Sequence, residues 1–147
     1  MSTNFFTRLE VDIADLVPFF VSPQTYQKLY LKISYRKSGG QERVLFVEIN
    51  DSISGSMFVG RNRLLSDICV EDRFVSRQHL WIGWRKRRVF VQDLGSTNGT
   101  FLNGGFIAQD IPEGEKRRLI GDFYELYFGD VLIVGKGVKI EITTKQI

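Results

Sequence analysis

Chemistry that needs a metal, a disulfide or several histidines has little to work with here, since Cys69 is the only cysteine and His79 the only histidine in 147 residues. A lone cysteine excludes an intramolecular disulfide, and no group of Cys and His has metal-ligand spacing, so neither metal nor cofactor is expected. Cys69 reads as a small apolar strand residue. No apolar run approaches the roughly 20 residues of a membrane-spanning helix, and no basic stretch followed by an apolar core opens the chain. A cytoplasmic or nuclear protein is expected. Without a secretory route, the glycosylation pattern at Asn50-Asp51-Ser52 and at Asn98-Gly99-Thr100 carries no weight. An amphipathic helix with capping signals is missing too.

Charge of one sign is not in large excess: 20 Lys and Arg against 17 Asp and Glu leave a net +3. Nucleic acid would be attracted weakly by such a balance, and so would a phosphorylated protein. With 43% hydrophobic and 25% charged residues the chain has the composition of a soluble globular protein. Its length suits one domain with a sizeable core plus extensions.

Strand patterns fill most of the chain. Residues 1–24 read as an extension: Leu9, Val11 and Ile13 alternate with Glu10 and Asp12, and Pro18 then breaks the apolar run Leu16 to Val21. That run either packs on the domain, the favoured reading, or forms a partner-binding arm. From residue 25 onward Leu29, Leu31, Ile33 and Tyr35 face one way, and Val44 to Ile49 returns through a glycine turn as the second arm of a hairpin. Asn50 to Ser56 reads as a loop, Met57 to Val59 as a strand, Asp67 to Val70 as a short strand, and Leu80, Ile82 and Trp84 as an alternating one. Arg85 to Arg88 stand where a hairpin must turn, so a solvated turn is favoured over a nucleic-acid patch. The segment at about 105–128 is long, with a strand expected at Arg118 to Ile120, a turn at Gly121-Asp122 and a further strand from Phe123 to Phe128. Val138, Ile140 and Ile142 close the chain as a final strand. Short strands punctuated by turns predict an all-β sandwich.

Val91 to Gly104 is the stretch around which the rest is organised. Ser96, Thr97 and Asn98 bring two hydroxyls and a carboxamide, while Gly95 and Gly99 permit positive φ or close backbone approach. A ligand-binding loop and a plain hairpin connection, with Asn98-Gly99 as its turn, are equally compatible with the residues alone. Asn103-Gly104 is a second turn signal.

The company of this loop shifts the balance. Gly60-Arg61, Ser76-Arg77-Gln78-His79, Ser96-Thr97-Asn98-Gly99-Thr100 and Gly129-Asp130 before an apolar strand occur in that order. The set resembles the forkhead-associated (FHA) domain family over roughly the last two thirds of the chain, with Gly129-Asp130 rather than Gly121-Asp122 taken as the family's Gly-Asp. The resemblance implies a two-sheet β-sandwich of the forkhead-associated and SMAD-like kind, with residues 25–147 as the domain and the binding loops at one end. It further implies a phosphothreonine-dependent protein-binding module in kinase-linked signalling, with no membrane attachment and no catalysis of its own. Such a chain could still be one part of a larger kinase or other enzyme.

Arg61 offers a permanently charged fork suited to two phosphate oxygens, and Ser76 a hydroxyl for another. Arg77 either adds charge beside the phosphate or braces the loop. By the resemblance, Asn98 bonds the main chain of the bound peptide, Thr97 lines the phosphothreonine pocket, and His79 is structural rather than a phosphate ligand or pH sensor. Gly60 and Gly99 are expected to shape the backbone, and Asp93, Thr100 and Asn103 to serve the fold. Ser76 and His79 do not read as nucleophile and base, because their spacing across a loop does not aim them at one another and no third group orients the imidazole. Gly135-Lys136-Gly137 lacks the rest of a phosphate-binding P-loop.

Two alternatives remain. The first is a basic β domain that binds nucleic acid through Arg85 to Arg88 with Lys116, Arg117 and Arg118. Aromatic residues, at 13%, are expected mostly at core positions rather than on an exposed stacking face. The second is a scaffold that binds proteins through its sheet face without phosphate.

Overall fold

The computed structural model describes residues 28–37, 40–49, 54–108 and 119–144. The expectations for the amino-terminal extension and for Lys116 to Arg118 lie outside them. Eleven strands follow one another among the described residues: β1 (Leu29–Arg36), β2 (Glu42–Ile49), β3 (Gly55–Gly60), β4 (Ile68–Cys69), β5 (Leu80–Arg85), β6 (Arg88–Asp93), β7 (Thr100–Leu102), β8 (Gly105–Phe106), β9 (Phe123–Leu126), β10 (Leu132–Val134) and β11 (Val138–Thr143). They form two sheets, ordered β2-β1-β11-β10-β7-β8 and β4-β3-β5-β6-β9. Every pairing is antiparallel except the short parallel contact of β3 with β4. The fold is the expected all-β sandwich.

Alternation sets the core. Leu31 and Ile33 of β1, Val59 of β3, Leu80 and Ile82 of β5, Val89 and Val91 of β6, Leu132 and Val134 of β10, and Val138 and Ile140 of β11 are wholly removed from solvent between the sheets. Each such side chain contributes about 1.5–3 kcal/mol of burial. The core is therefore mainly aliphatic, with Tyr35 in it and Trp84 and Tyr124 packed against it, which corrects the placement of the aromatics. Phe58, Phe106, Phe123, Tyr127 and Phe128 are exposed, and among the aromatics of the described residues only Tyr35 is buried.

On the outer face of the second sheet, residues paired across β3, β5, β6 and β9 collect Phe58, Trp81, Phe90 and Phe123. Trp81 meets Phe123 edge-on, with centroids 5.4 Å apart. The Trp81 ring also lies over Gly83, where an added Cβ would come within 2.2 Å of it. A groove of about 1270 Å³ runs along this face beside Ser56, Trp84 and Tyr124.

Turn chemistry decides the register. Lys86 (φ 50°) and Arg87 (φ 65°) form the two-residue turn between β5 and β6, so the basic run does fall at a hairpin. Arg88, however, lies along the outer face of its sheet and clamps Glu125 with two bonds of 3.0 and 2.9 Å. Asn103 (φ 50°) and Gly104 (φ 86°) form the β7–β8 turn. The Asn103 carboxamide donates to Asp130 and accepts from Val131 N–H, both at 2.9 Å, which ties that turn to the Gly129-Asp130 corner.

Three boundaries differ from the sequence reading. β3 begins at Gly55, inside the expected loop, because Gly55 pairs with Trp84 of β5, whose ring takes the space a side chain there would fill. Leu119 and Ile120 are irregular rather than a strand, and so is Gly121, whose N–H reaches the Asp93 carbonyl at 2.9 Å. β9 stops at Leu126 because Tyr127 N–H turns to the Asp130 carboxylate at 2.8 Å.

Candidate functional site

Strand direction brings the sequence motifs together. β3 ends, β5 begins, β6 ends, β7 begins, β10 ends and β11 begins at the same end of the sandwich. The loops 61–67, 70–79, 94–99 and 135–137 therefore share one rim. Asn98-Gly99 is not a hairpin turn, since β6 and β7 belong to different sheets and the loop between them crosses from one to the other.

Gly60 lets the first two loops touch. An added Cβ there would lie 2.1 Å from the Arg77 carbonyl oxygen and 2.5 Å from Ser66 Oγ. In that close approach Arg61 N–H donates to Ser76 O at 2.9 Å and Asn62 N–H to Arg77 O at 3.0 Å. Arg61 Nε then donates to the Val75 carbonyl at 2.9 Å, which holds the exposed guanidinium beside Ser76. Among the described residues neither of its Nη groups has a partner, so both edges are left to bind. Ser76 Oγ accepts Thr97 N–H at 3.1 Å and keeps its own hydrogen to donate.

Asn98 is oriented as firmly. Its side chain meets the Phe74 carbonyl at 3.1 Å, and an acceptor at that place fixes the carboxamide with Nδ2 toward Phe74 and Oδ1 away from it. One N–H and the carbonyl of the amide remain, which is the complement of a peptide main chain. The Thr97 side chain is exposed next to it. Arg77 is exposed, and its backbone does the bracing: the carbonyl accepts from Asn62 N–H and from Ser66 Oγ at 2.9 Å. The guanidinium is left for solvent or ligand.

Beneath the rim lies a buried polar layer. Ser76 N–H donates to His79 Nδ1 at 3.0 Å, so Nε2 carries the proton and donates to the Gly99 carbonyl at 2.9 Å, with Thr100 Oγ1 3.2 Å away. Burial pushes the imidazole below its usual range, and the Gly99 carbonyl and the Asp93 and Asp72 carboxylates only partly offset this. His79 is thus a neutral strut between the Ser76 loop and the Thr97 loop. Since the imidazole holds the Ser76 backbone and not its hydroxyl, the two side chains form no nucleophile–base pair.

Asp93 completes the layer. One carboxylate oxygen accepts from Gly95 and Ser96 N–H at 2.8 Å each, and the other from Thr100 Oγ1 at 2.6 Å and from Ser96 Oγ. Ser96, one of the hydroxyls the sequence offers in this loop, is fully buried; its hydroxyl also accepts Gly99 N–H at 3.1 Å. It braces the loop. Gly99 has φ +91°, and a Cβ there would run into the Phe106 ring at 2.6 Å.

The sequence reading missed Phe74, whose carbonyl aims Asn98, and Asn62, whose Oδ1 accepts from Leu64 N–H at 2.8 Å. Nothing in the local pattern marks Phe74, because its role depends on a residue 24 positions away. Asn62 two residues before an accepting turn was a readable signal.

A β-sandwich whose one rim carries a fixed arginine, a free hydroxyl and an oriented carboxamide is a rigid scaffold that gathers hydrogen-bonding groups on its loops. The family profile of the FHA domain matches residues 57–135, which is 79 of the 147 residues, and the chain belongs to that family. The FHA domain of the CT664 protein from Chlamydia trachomatis is similar, with 21% identity, a TM-score of 0.56, and coverage of 81% of this chain and 99% of that one. The kinase-interacting FHA domain of the kinase associated protein phosphatase of Arabidopsis has 25% identity and a TM-score of 0.56, covering 82% and 98%. The FhaA FHA domain, solved in complex with the intracellular domain of Rv3910, has 25% identity and a TM-score of 0.53, covering 78% and 99%. No curated protein sequence matches the chain. Among the described residues no helix is long and apolar enough to cross a membrane, and no three metal-ligating side chains cluster.

Proposed function

We propose that this chain is a non-catalytic module that binds a phosphothreonine-containing segment of a partner protein. The observation that carries the reading is the anchoring of Arg61 Nε on the Val75 carbonyl, which holds the guanidinium next to Ser76 with its Nη donors unused among the described residues, while the Ser76 hydroxyl keeps a hydrogen to donate. Two charge-assisted bonds from the guanidinium and one from the hydroxyl suit a phosphate dianion. Thr97 lines the space beside the phosphothreonine methyl, Asn98 takes the peptide main chain, and Arg77 adds charge. The partner belongs to kinase-linked signalling in the cytoplasm or nucleus, since a kinase must write the mark.

The test starts from a phosphothreonine-oriented peptide library. The best binder is then compared by calorimetry with its phosphoserine and unphosphorylated forms. Binding should require the phosphate, and Arg61→Ala should cost roughly 2–5 kcal/mol by removing the charge opposite a dianion. Burial of the threonine methyl is worth about 0.8 kcal/mol, so phosphoserine should bind at least about fourfold more weakly. Equal affinity for the phosphorylated and unphosphorylated peptides would overturn the reading. It would turn attention to the aromatic face of the second sheet, where binding needs no phosphate.

A further inference from the structure

The positive charge at this rim is not exhausted by Arg61 and Arg77. Arg73 and Lys136, from different loops, both lie on the ring of Phe74: the guanidinium carbon is 4.8 Å and the ammonium nitrogen 4.3 Å from its centroid. Both are exposed, and among the described residues neither forms an ion pair. One oxygen of the nearby Asp72 carboxylate accepts Phe74 N–H at 2.8 Å, and the group keeps its negative charge.

Phe74 is the residue that places everything here. Its carbonyl aims Asn98 at 3.1 Å, and Gly135, next to Lys136, packs so closely that an added Cβ would lie 2.6 Å from that same oxygen. The site thus has an order: Val75 holds Arg61, Ser76 and Thr97 follow, Phe74 holds Asn98, and the Phe74 ring carries Arg73 and Lys136 at the far side. A cation resting on a ring keeps its charge, and it has already lost part of the conformational freedom that pairing would otherwise remove. An anion that reaches this ring meets two positive charges that have no ion pair of their own among the described residues.

We propose that the Arg73–Phe74–Lys136 layer is a subsite for an acidic group near the phosphothreonine of the bound segment, either a carboxylate or a second phosphoryl group. The proposal rests on the phosphothreonine reading and names the sequence class that the module selects.

The test uses one phosphothreonine peptide in four versions, with the flanking positions made neutral, Asp/Glu, phosphoserine or Lys, titrated by fluorescence anisotropy at low and high salt. Acidic flanks should bind roughly three- to tenfold tighter than neutral ones, lysine flanks more weakly, and added salt should shrink the difference. The double substitution R73Q/K136Q should abolish the gain while leaving the neutral-flank peptide within about twofold. F74L, which keeps both charges but removes the ring, should reduce the gain, with the neutral-flank peptide reporting whether Asn98 is still aimed. A larger gain for phosphoserine than for Asp/Glu would identify a second phosphate as the ligand; equal gains would identify a carboxylate as sufficient. An acidic gain that is absent in the parent protein, or that survives R73Q/K136Q, overturns the subsite while phosphothreonine binding stands. Loss of binding to every version, the neutral one included, overturns the underlying reading and the subsite with it.

Discussion

The backbone N–H of Ser76 points at His79 Nδ1 from 3.0 Å, and that single bond makes the only histidine of the chain an acceptor on one side and a donor on the other. The imidazole has to be neutral to hold the two binding loops together.

A pH dependence follows. The folded pKa of His79 lies below its ordinary value of 6.5 because the ring is buried. Between the folded value and 6.5 the unfolded chain holds a proton that the native chain does not, so the His79 contribution to stability is intact above 6.5 and is lost as pH falls toward the folded value. The slope approaches about 1.4 kcal/mol per pH unit. Urea midpoints between pH 7.5 and 5 should fall for the parent chain and flatten for His79→Gln; parallel curves would mean the ring does not stay neutral.

Ser96 and Asn98 should separate stability from affinity. Ser96→Ala removes a buried hydroxyl that serves Asp93 and Gly99 N–H, and should lower stability by about 1–3 kcal/mol. Asn98→Ala touches one part-buried bond and should leave the melting temperature within a few degrees while weakening phosphopeptide binding at least about tenfold. Denaturation and titration of both variants read the two effects independently. The reverse pattern would place the ligand contacts on the wrong loop residue.

Gly60→Ala tests the close approach beneath Arg61. A Cβ 2.1 Å from the Arg77 carbonyl must push the two loops apart, at a cost of about 1–3 kcal/mol or more. Displacement of Arg61 should reduce phosphopeptide affinity beyond what unfolding explains. Titration at a temperature where the variant stays folded measures this directly, and unchanged affinity there would show that Arg61 is positioned without the glycine.

Lys86 occupies φ 50° in the β5–β6 turn, a conformation that asparagine tolerates better than lysine. Lys86→Asn should raise stability by roughly 0.5 kcal/mol and leave phosphopeptide affinity unchanged, because the turn is at the end of the sandwich opposite the binding rim. Tight nucleic-acid binding at physiological salt by the parent chain, weakened by this change, would instead support a basic-patch function.

The sequence by itself determined the sandwich, since period-two alternation in β1, β5 and β11 leaves one face of each strand to be buried, and it singled out Arg61, Ser76 and Asn98 as residues whose donors suit a phosphate and a peptide. Local geometry was readable as far as local chemistry extends, which is why Asn103-Gly104 and Lys86-Arg87 fall in turns. Only the tertiary structure decided what depends on contacts across the fold. The Asn98 loop crosses between sheets instead of closing a hairpin, because β6 and β7 pair with different partners. Ser96 turns inward and Thr97 outward although they are adjacent, because Asp93 claims the first hydroxyl. Among the described residues most aromatics lie outside the core, because aliphatic side chains fill most of the space between the sheets. Phe74 gained its role from a carbonyl and a ring that meet Asn98, Gly135 and Lys136, residues its own neighbourhood in the chain does not contain.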